Sequence, residues 1–288
     1  MTCLLNRRTT WCVSLLAFFA IAVSPISADE GLVQLVKTGC SLTYSGIKSG
    51  RGSVRVTVSK IAGGSESNSE SKITVAFRGD RLRVSSDTIR GPRAAYEGSF
   101  DGVNTVEWIK DSKLPATVRA GASGMIKGEF DLFADPRAHG MADLDKASDL
   151  KFLSKEILDE DECLCVESVT PAVTVDGKDV RSRLKFWVST AQGFTIPKFQ
   201  VWSVSGADET LVREETTKVR SYGENLWGPA AVSRIDYNPD GTVKKRVSVV
   251  YGPEFQLNVP VGDDTLEVKL PPGIKVVDTV NDMEYVIP

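Results

Sequence analysis

Histidine is almost missing from this chain: His139 is the only one in 288 residues. Zinc sites that need two or three imidazoles are therefore excluded, and a Ser-His or Cys-His catalytic pair is confined to one position. There is no Gly-x-Ser-x-Gly elbow, no His-Glu-x-x-His pair and no phosphate-cradling glycine loop. Gly121-Ala122-Ser123-Gly124 lacks the elbow spacing. His139 itself stands in Pro136-Arg137-Ala138-His139-Gly140, an irregular stretch in which a lone imidazole reads as a surface or packing residue rather than a base. An excess of one charge is missing too. The net charge of −3 gives no electrostatic reason to bind nucleic acid or an anionic membrane surface. With 41% hydrophobic and 25% charged residues, the composition fits neither a disordered chain nor a polytopic membrane protein.

Only one apolar run is long, Trp11 to Val23, and Arg7 and Arg8 precede it. Pro25 breaks it, and Ile26-Ser27-Ala28 ends on a small residue before Asp29-Glu30. This layout predicts a secretory signal peptide over residues 1–28, cleaved after Ala28. The run is shorter than the roughly 20 residues of a spanning helix, and no later segment is apolar enough to span. The expectation is therefore an exported protein, periplasmic or extracellular, with no transmembrane segment left after cleavage and a single domain over 29–288.

Three of the five cysteines, Cys40, Cys163 and Cys165, follow the signal. An oxidising compartment permits one bridge and leaves an odd thiol. In a strand, Cys163 and Cys165 point to one face about 6–7 Å apart, too far for an unstrained bond to each other. The candidate disulfide is thus Cys40 to Cys163 or Cys165, or the three are simply small buried residues. Three thiols without paired histidines make no convincing metal site.

What the chain has in quantity is period-two alternation. Val54, Val56 and Val58 alternate with Arg55, Thr57 and Ser59; Ile73, Val75 and Phe77 with Thr74 and Ala76; Leu82 and Val84 with Arg81 and Arg83. Leu184, Phe186 and Val188, then Phe199 and Val201, then Val247, Val249 and Tyr251 repeat the pattern. One apolar and one polar face is the signature of antiparallel sheet. Arg78-Gly79-Asp80, Asp101-Gly102, Asp176-Gly177 and Asn238-Pro239-Asp240-Gly241 supply hairpin turns, and Gly63–Ser71 reads as a long exposed loop. A short helix is expected at Glu30–Lys37, stopped by Gly39. A second is expected at Leu144–Ile157, where Leu144, Ala147, Leu150, Leu153 and Ile157 form a stripe that must cover one face of the sheet.

Several segments look chemical and have plainer readings. Asp236-Tyr237-Asn238-Pro239-Asp240-Gly241 opens like a calcium loop, but the twelfth position is Val247 and both flanks read as strands, so a hairpin turn is expected. Arg181, Arg183 and Lys185, and the run Lys244-Lys245-Arg246, read as solvated sheet faces. Trp108, Trp187, Trp202 and Trp227 read as core.

The run Ile73–Val84 with its Arg-Gly-Asp-Arg turn is followed by Gly98-Ser99-Phe100-Asp101-Gly102 and by Phe133-x-Asp135-Pro136-Arg137-x-x-Gly140. The ending Tyr251–Tyr285 carries Phe255, Val259-Pro260, Gly273, Val276-Val277-Asp278 and Tyr285. In this order the phrases resemble secreted proteins of planctomycete-type bacteria similar to the LolA/LolB lipoprotein-carrier superfamily, over most of residues 43–288. The resemblance implies an α+β, predominantly antiparallel β fold: an open half-barrel with one or two helices over its concave face. It implies a non-enzymatic protein of the cell envelope without a cofactor, holding a lipid or lipoprotein acyl chain. The alternative is a filled half-barrel with a structural or protein-interaction role. The apolar parity covered by the helix, Val75, Phe77, Leu184, Phe186, Phe199 and Val201, is the candidate lipid-binding surface.

Overall fold

The computed structural model describes residues 28–92, 94–144, 146–175 and 178–288. The expected signal segment up to Ser27 and the hairpin turn expected at Asp176-Gly177 lie outside the described residues. Helix α1 (Ala28–Ser45) opens the described chain. Strands β1 (Ser49–Ala62), β2 (Ser65–Arg78), β3 (Arg81–Arg90), β4 (Tyr96–Phe100), β5 (Asn104–Ile109) and β6 (Ala116–Ala120) follow as hairpins. A helical insertion comes next: α2 (Gly124–Glu129), a π-helical turn at Phe130–Ala134, and α3 (Met141–Leu144). Then come β7 (Lys151–Leu158), β8 (Asp161–Val169), β9 (Val173–Val175), β10 (Lys178–Ser189), β11 (Thr195–Ser205), β12 (Asp208–Gly223), β13 (Leu226–Tyr237) and β14 (Val243–Tyr251). The chain ends with β15 (Gln256–Leu257), α4 (Asp263–Leu266), β16 (Lys275–Asp278) and β17 (Met283–Val286).

The pairings set the strands side by side as β7-β8-β10-β11-β12-β13-β14-β1-β2-β3-β4-β5-β6-β16-β17. All neighbours in that row are antiparallel except β6 and β16, which run parallel. Strand β9 pairs with the start of β10, and β15 with the start of β1. The row does not close, and its edges are β7 and β17. The result is the open, predominantly antiparallel half-barrel expected.

The inner parity of this sheet carries two apolar clusters. One gathers Val54, Val56, Val58, Ile73, Val75, Phe77, Val84, Val247 and Val249 beneath Ile126, Phe130 and Phe133 of the helical insertion. The other gathers Leu164, Val166, Leu184, Phe186, Val188 and Phe199 beneath Val36, Cys40 and Tyr44 of α1 and Met141, Leu144, Ala147 and Leu150. In α1, Val36, Gly39, Cys40 and Tyr44 fall on one stripe, which is why that helix lies down on the sheet.

Three local expectations are corrected. Helix α1 does not stop at Gly39; the residue is an interior helical glycine pressed against Phe194. The stretch Gly63–Ser71 is a tight turn at Gly63-Gly64, both with left-handed φ, followed by the exposed start of β2. The helix expected at Leu144–Ile157 is a short α3 followed by edge strand β7. Leu144, Ala147 and Leu150 do pack into the core, but Leu153 is 45% and Ile157 71% exposed. The exposure of Lys151–Leu158 alternates residue by residue as in a strand, and pairing with β8 satisfies its backbone. The covering role expected of this helix belongs to α1 and the insertion over 124–147.

Candidate functional site

Four of the six candidate lipid-binding side chains, Val75, Phe77, Phe186 and Phe199, are sealed. Phe186 and Phe199 stack at 4.9 Å between ring centres and are fully enclosed beneath α1 and α3. At the other end Phe77 meets Phe130 edge-on at 5.5 Å, and the Arg137 guanidinium lies 5.1 Å from its centroid. Arg137 is held there by Asp135, with Nε donating to Oδ1 at 2.9 Å and Nη2 to Oδ2 at 3.0 Å. Val75 is buried in the same cluster. The six residues therefore belong to two patches, not to one groove.

Between the patches the concave face is charged. Register places Leu184, Val201, Arg213, Asp236, Lys245 and Lys60 on one rung across β10, β11, β12, β13, β14 and β1. The next rung reads Phe186, Phe199, Glu215, Arg234, Val247 and Val58. A cleft of about 620 Å³ opens over the first rung. Leu184, Val201 and Val212 form its apolar end, and Arg213, Arg234, Lys244, Lys245 and Asp236 its polar end, with Asp143 and Lys146 at the rim. Here Leu184 and Val201 reach open space, so the cleft unites two of the candidate residues and leaves the other four buried elsewhere.

The polar end is tied together at one atom. Arg213 Nε and Arg234 Nε both donate to Asp236 Oδ1, at 3.1 and 3.0 Å. Burial pushes the Asp236 carboxyl up, but the two guanidiniums outweigh it and hold it below the ordinary carboxylate value. Lys245 is pushed below the ordinary lysine value by burial and by the positive charges of Arg234, Lys60 and Arg213, against the pull of Asp236. Burial raises the Asp143 carboxyl despite Arg213 and Lys146. Deeper in, His139 is buried, not on the surface. Its Nε2 shares a 2.9 Å hydrogen bond with Tyr251 Oη, and its Nδ1 stands 3.6 Å from Glu215. It packs the insertion onto the sheet.

Sequence reasoning missed this charged strip because β12 shows no apolar alternation, and inward charges look like a solvated face. The run Lys244-Lys245-Arg246, expected to be simply solvated, divides: Lys244 and Lys245 line the cleft and Arg246 does not. Asp236 stands at the end of β13, just before the expected hairpin turn, and spends its carboxylate on the two arginines. The tryptophans are not inner core. Trp187 is buried on the outer face with Cys163 and Cys165, while Trp108, Trp202 and Trp227 are half-buried.

The disulfide expectation is corrected by parity. Leu164 and Val166 face inward, so Cys163 and Cys165 face outward beside Trp187. Cys40 lies on the inner face, where its thiol donates to the Phe194 carbonyl at 3.2 Å. The sheet stands between them. Cys163 and Cys165 are free thiols, and burial, ahead of nearby carboxylates for Cys163, pushes both up to about 11. Among the described residues, no group of three or more His, Cys, Asp and Glu side chains could hold a metal ion, and no helix is long and apolar enough to cross a membrane.

No protein-family model and no curated protein matches the chain. Among solved structures, the chain is similar to a DUF1329 family protein from Desulfovibrio piger, at 13% identity and a TM-score of 0.46, covering 81% of this chain and 97% of that one. A LolA superfamily protein from Nitrosomonas europaea matches at 12% identity and 0.46, covering 82% and 97%. The lipoprotein LppX from Mycobacterium tuberculosis matches at 11% identity and 0.32, covering 81% and 98%.

Proposed function

We propose that this chain is an exported, non-enzymatic binding protein of the cell envelope that takes a lipid or acyl chain on the concave face of its half-barrel. One observation carries the reading: the cleft over Leu184, Val201 and Val212 is where the apolar floor meets open space, beside α3 and Lys146. Each methylene buried there contributes about 0.8 kcal/mol. The Asp236 carboxylate is held ionised by two arginines, so it is a fixed partner of those cations rather than a proton donor at neutral pH. The buried floor under α1 and the insertion supports a second reading, a filled half-barrel with an interaction role.

A fluorescent fatty acid separates the two. Wild-type protein is expected to bind it saturably. Phe186→Asp is a poor probe, since Phe186 is fully buried and stacked and its loss would unfold the chain. Val201→Asp is the better variant: it sits half-buried at the cleft and places a carboxylate against the chain. Binding should fall with the circular dichroism spectrum unchanged. No saturable binding by the wild type, or undiminished binding by folded Val201→Asp, would establish the filled half-barrel instead.

A further inference from the structure

We infer that the polar end of this cleft is a binding site for a phosphate group, so that the ligand is an amphiphile with a phosphorylated head rather than a neutral lipid. The inference rests on the acyl-chain reading for its tail and on an independent observation for its head. That observation is the concentration of cations. Five basic side chains line the cleft, Lys146, Arg213, Arg234, Lys244 and Lys245, against two carboxylates, Asp143 and Asp236. The cleft carries an excess of three positive charges in a chain whose net charge is −3. Glu215, on the next rung, faces His139, and counting it still leaves an excess of two.

The arrangement is built to face an anion. Arg213 and Arg234 both spend Nε on the same oxygen of Asp236, and that contact does not use their terminal nitrogens. Planar guanidiniums bind phosphate oxygens in pairs, and two of them with a lysine suit a dianion better than a single carboxylate does. Lys245 stands directly across from Lys60 in the sheet, a like-charge pair that opposes folding. An anion bound beside them relieves that repulsion. The rung also runs from apolar to cationic: Leu184 and Val201 lie on the two strands before Arg213, about 10 Å from the first of these to the arginine at ordinary strand spacing. A tail on Leu184 and Val201 therefore places its head at Arg213, Arg234 and Lys245.

Isothermal titration with palmitoyl lysophosphatidate, monopalmitoylglycerol and inorganic phosphate tests this. The first two differ only in the phosphate. Lysophosphatidate is expected to bind about tenfold tighter or more at low salt, with the difference shrinking as salt rises. Arg213→Gln with Lys245→Gln should erase the difference, whereas Asp236→Asn should widen it. Lys245→Gln alone relieves the Lys60 repulsion, so it should fold at least as well as the wild type while still losing affinity. Equal binding of the two amphiphiles would overturn the phosphate site and leave the acyl reading standing. A difference that survives in the folded double variant would also overturn it. Binding of inorganic phosphate, lost in the double variant, with no binding of either amphiphile would keep the anion site and overturn the acyl reading. No binding of any of the three would overturn both.

Discussion

Gly39 and Phe194 are in direct contact: a Cβ built on Gly39 would stand 2.3 Å from Cγ of the Phe194 ring. The missing side chain lets α1 lie flat on the sheet, and Phe194 in turn presents its carbonyl to the Cys40 thiol. Two effects oppose each other on mutation. Alanine is favoured over glycine in a helix interior by about 1 kcal/mol, whereas forcing a methyl into a closed contact costs typically 1–3 kcal/mol. The ring is backed by the core under α1, so the contact wins. Gly39→Ala should lower the unfolding free energy by a net of up to about 2 kcal/mol, read as a lower urea midpoint. An unchanged or raised midpoint would show that α1 can lift off without loss.

The edge strand makes a second prediction. If Lys151–Leu158 were a covering helix, Leu150 and Ile157 would share one buried face. They do not: Leu150, just before β7, is buried at 9% exposure, and Ile157, within β7, is exposed. Ile157→Lys should change stability by no more than about 0.5 kcal/mol. Leu150→Lys should cost several kcal/mol or abolish folding, since it buries an unpaired charge. Comparable damage from both would restore the helical reading.

A third prediction concerns acid. The Asp236 carboxyl is held below its ordinary value of 3.8 by Arg234 and Arg213, which together exceed the opposing effect of burial. A depressed folded-state pKa contributes stability that is present above 3.8 and lost as pH falls through the lower folded value. Asp236→Asn should therefore cost about 1–3 kcal/mol at neutral pH, for the lost charge-assisted bonds, and flatten the acid limb of the stability profile below pH 4. Chemical denaturation from pH 2 to 7 reads both. A parallel downward shift with the acid limb intact would place the acid sensitivity at other carboxylates.

The half-barrel was legible where strands have one wet and one dry face. Val54, Val56 and Val58, and Ile73 and Val75, are buried on the inner face between the less buried Arg55, Thr57 and Thr74; the alternation ends at Ala76, which is buried on the other face against Val261 and Leu266. Legibility ends where that contrast ends. On β12, Arg213 and Glu215 face inward, and nothing in Leu211–Arg220 distinguishes an inward charge from an outward one without the partner strand. Asp236 and Arg234, two apart on β13, complete the site only through register, which no local pattern encodes. Cys163-Leu164-Cys165 lies in β8, and which face each residue shows depends on neighbours β7 and β10. Leu144–Ile157 differs for another reason: its spacing matches a helical stripe, and only pairing with the free edge of β8 makes Lys151–Leu158 a strand.

The central claim is that an acyl chain seats at the open end of the apolar floor and not beneath the sealed parts of it. Photo-crosslinking with a diazirine-bearing fatty acid, followed by peptide mapping, tests that most directly. The account predicts label on the strands that carry Leu184, Val201 and Val212, competed away by excess unlabelled fatty acid. Label confined to the β2 segment around Val75 and Phe77, or no competable label anywhere, would contradict it.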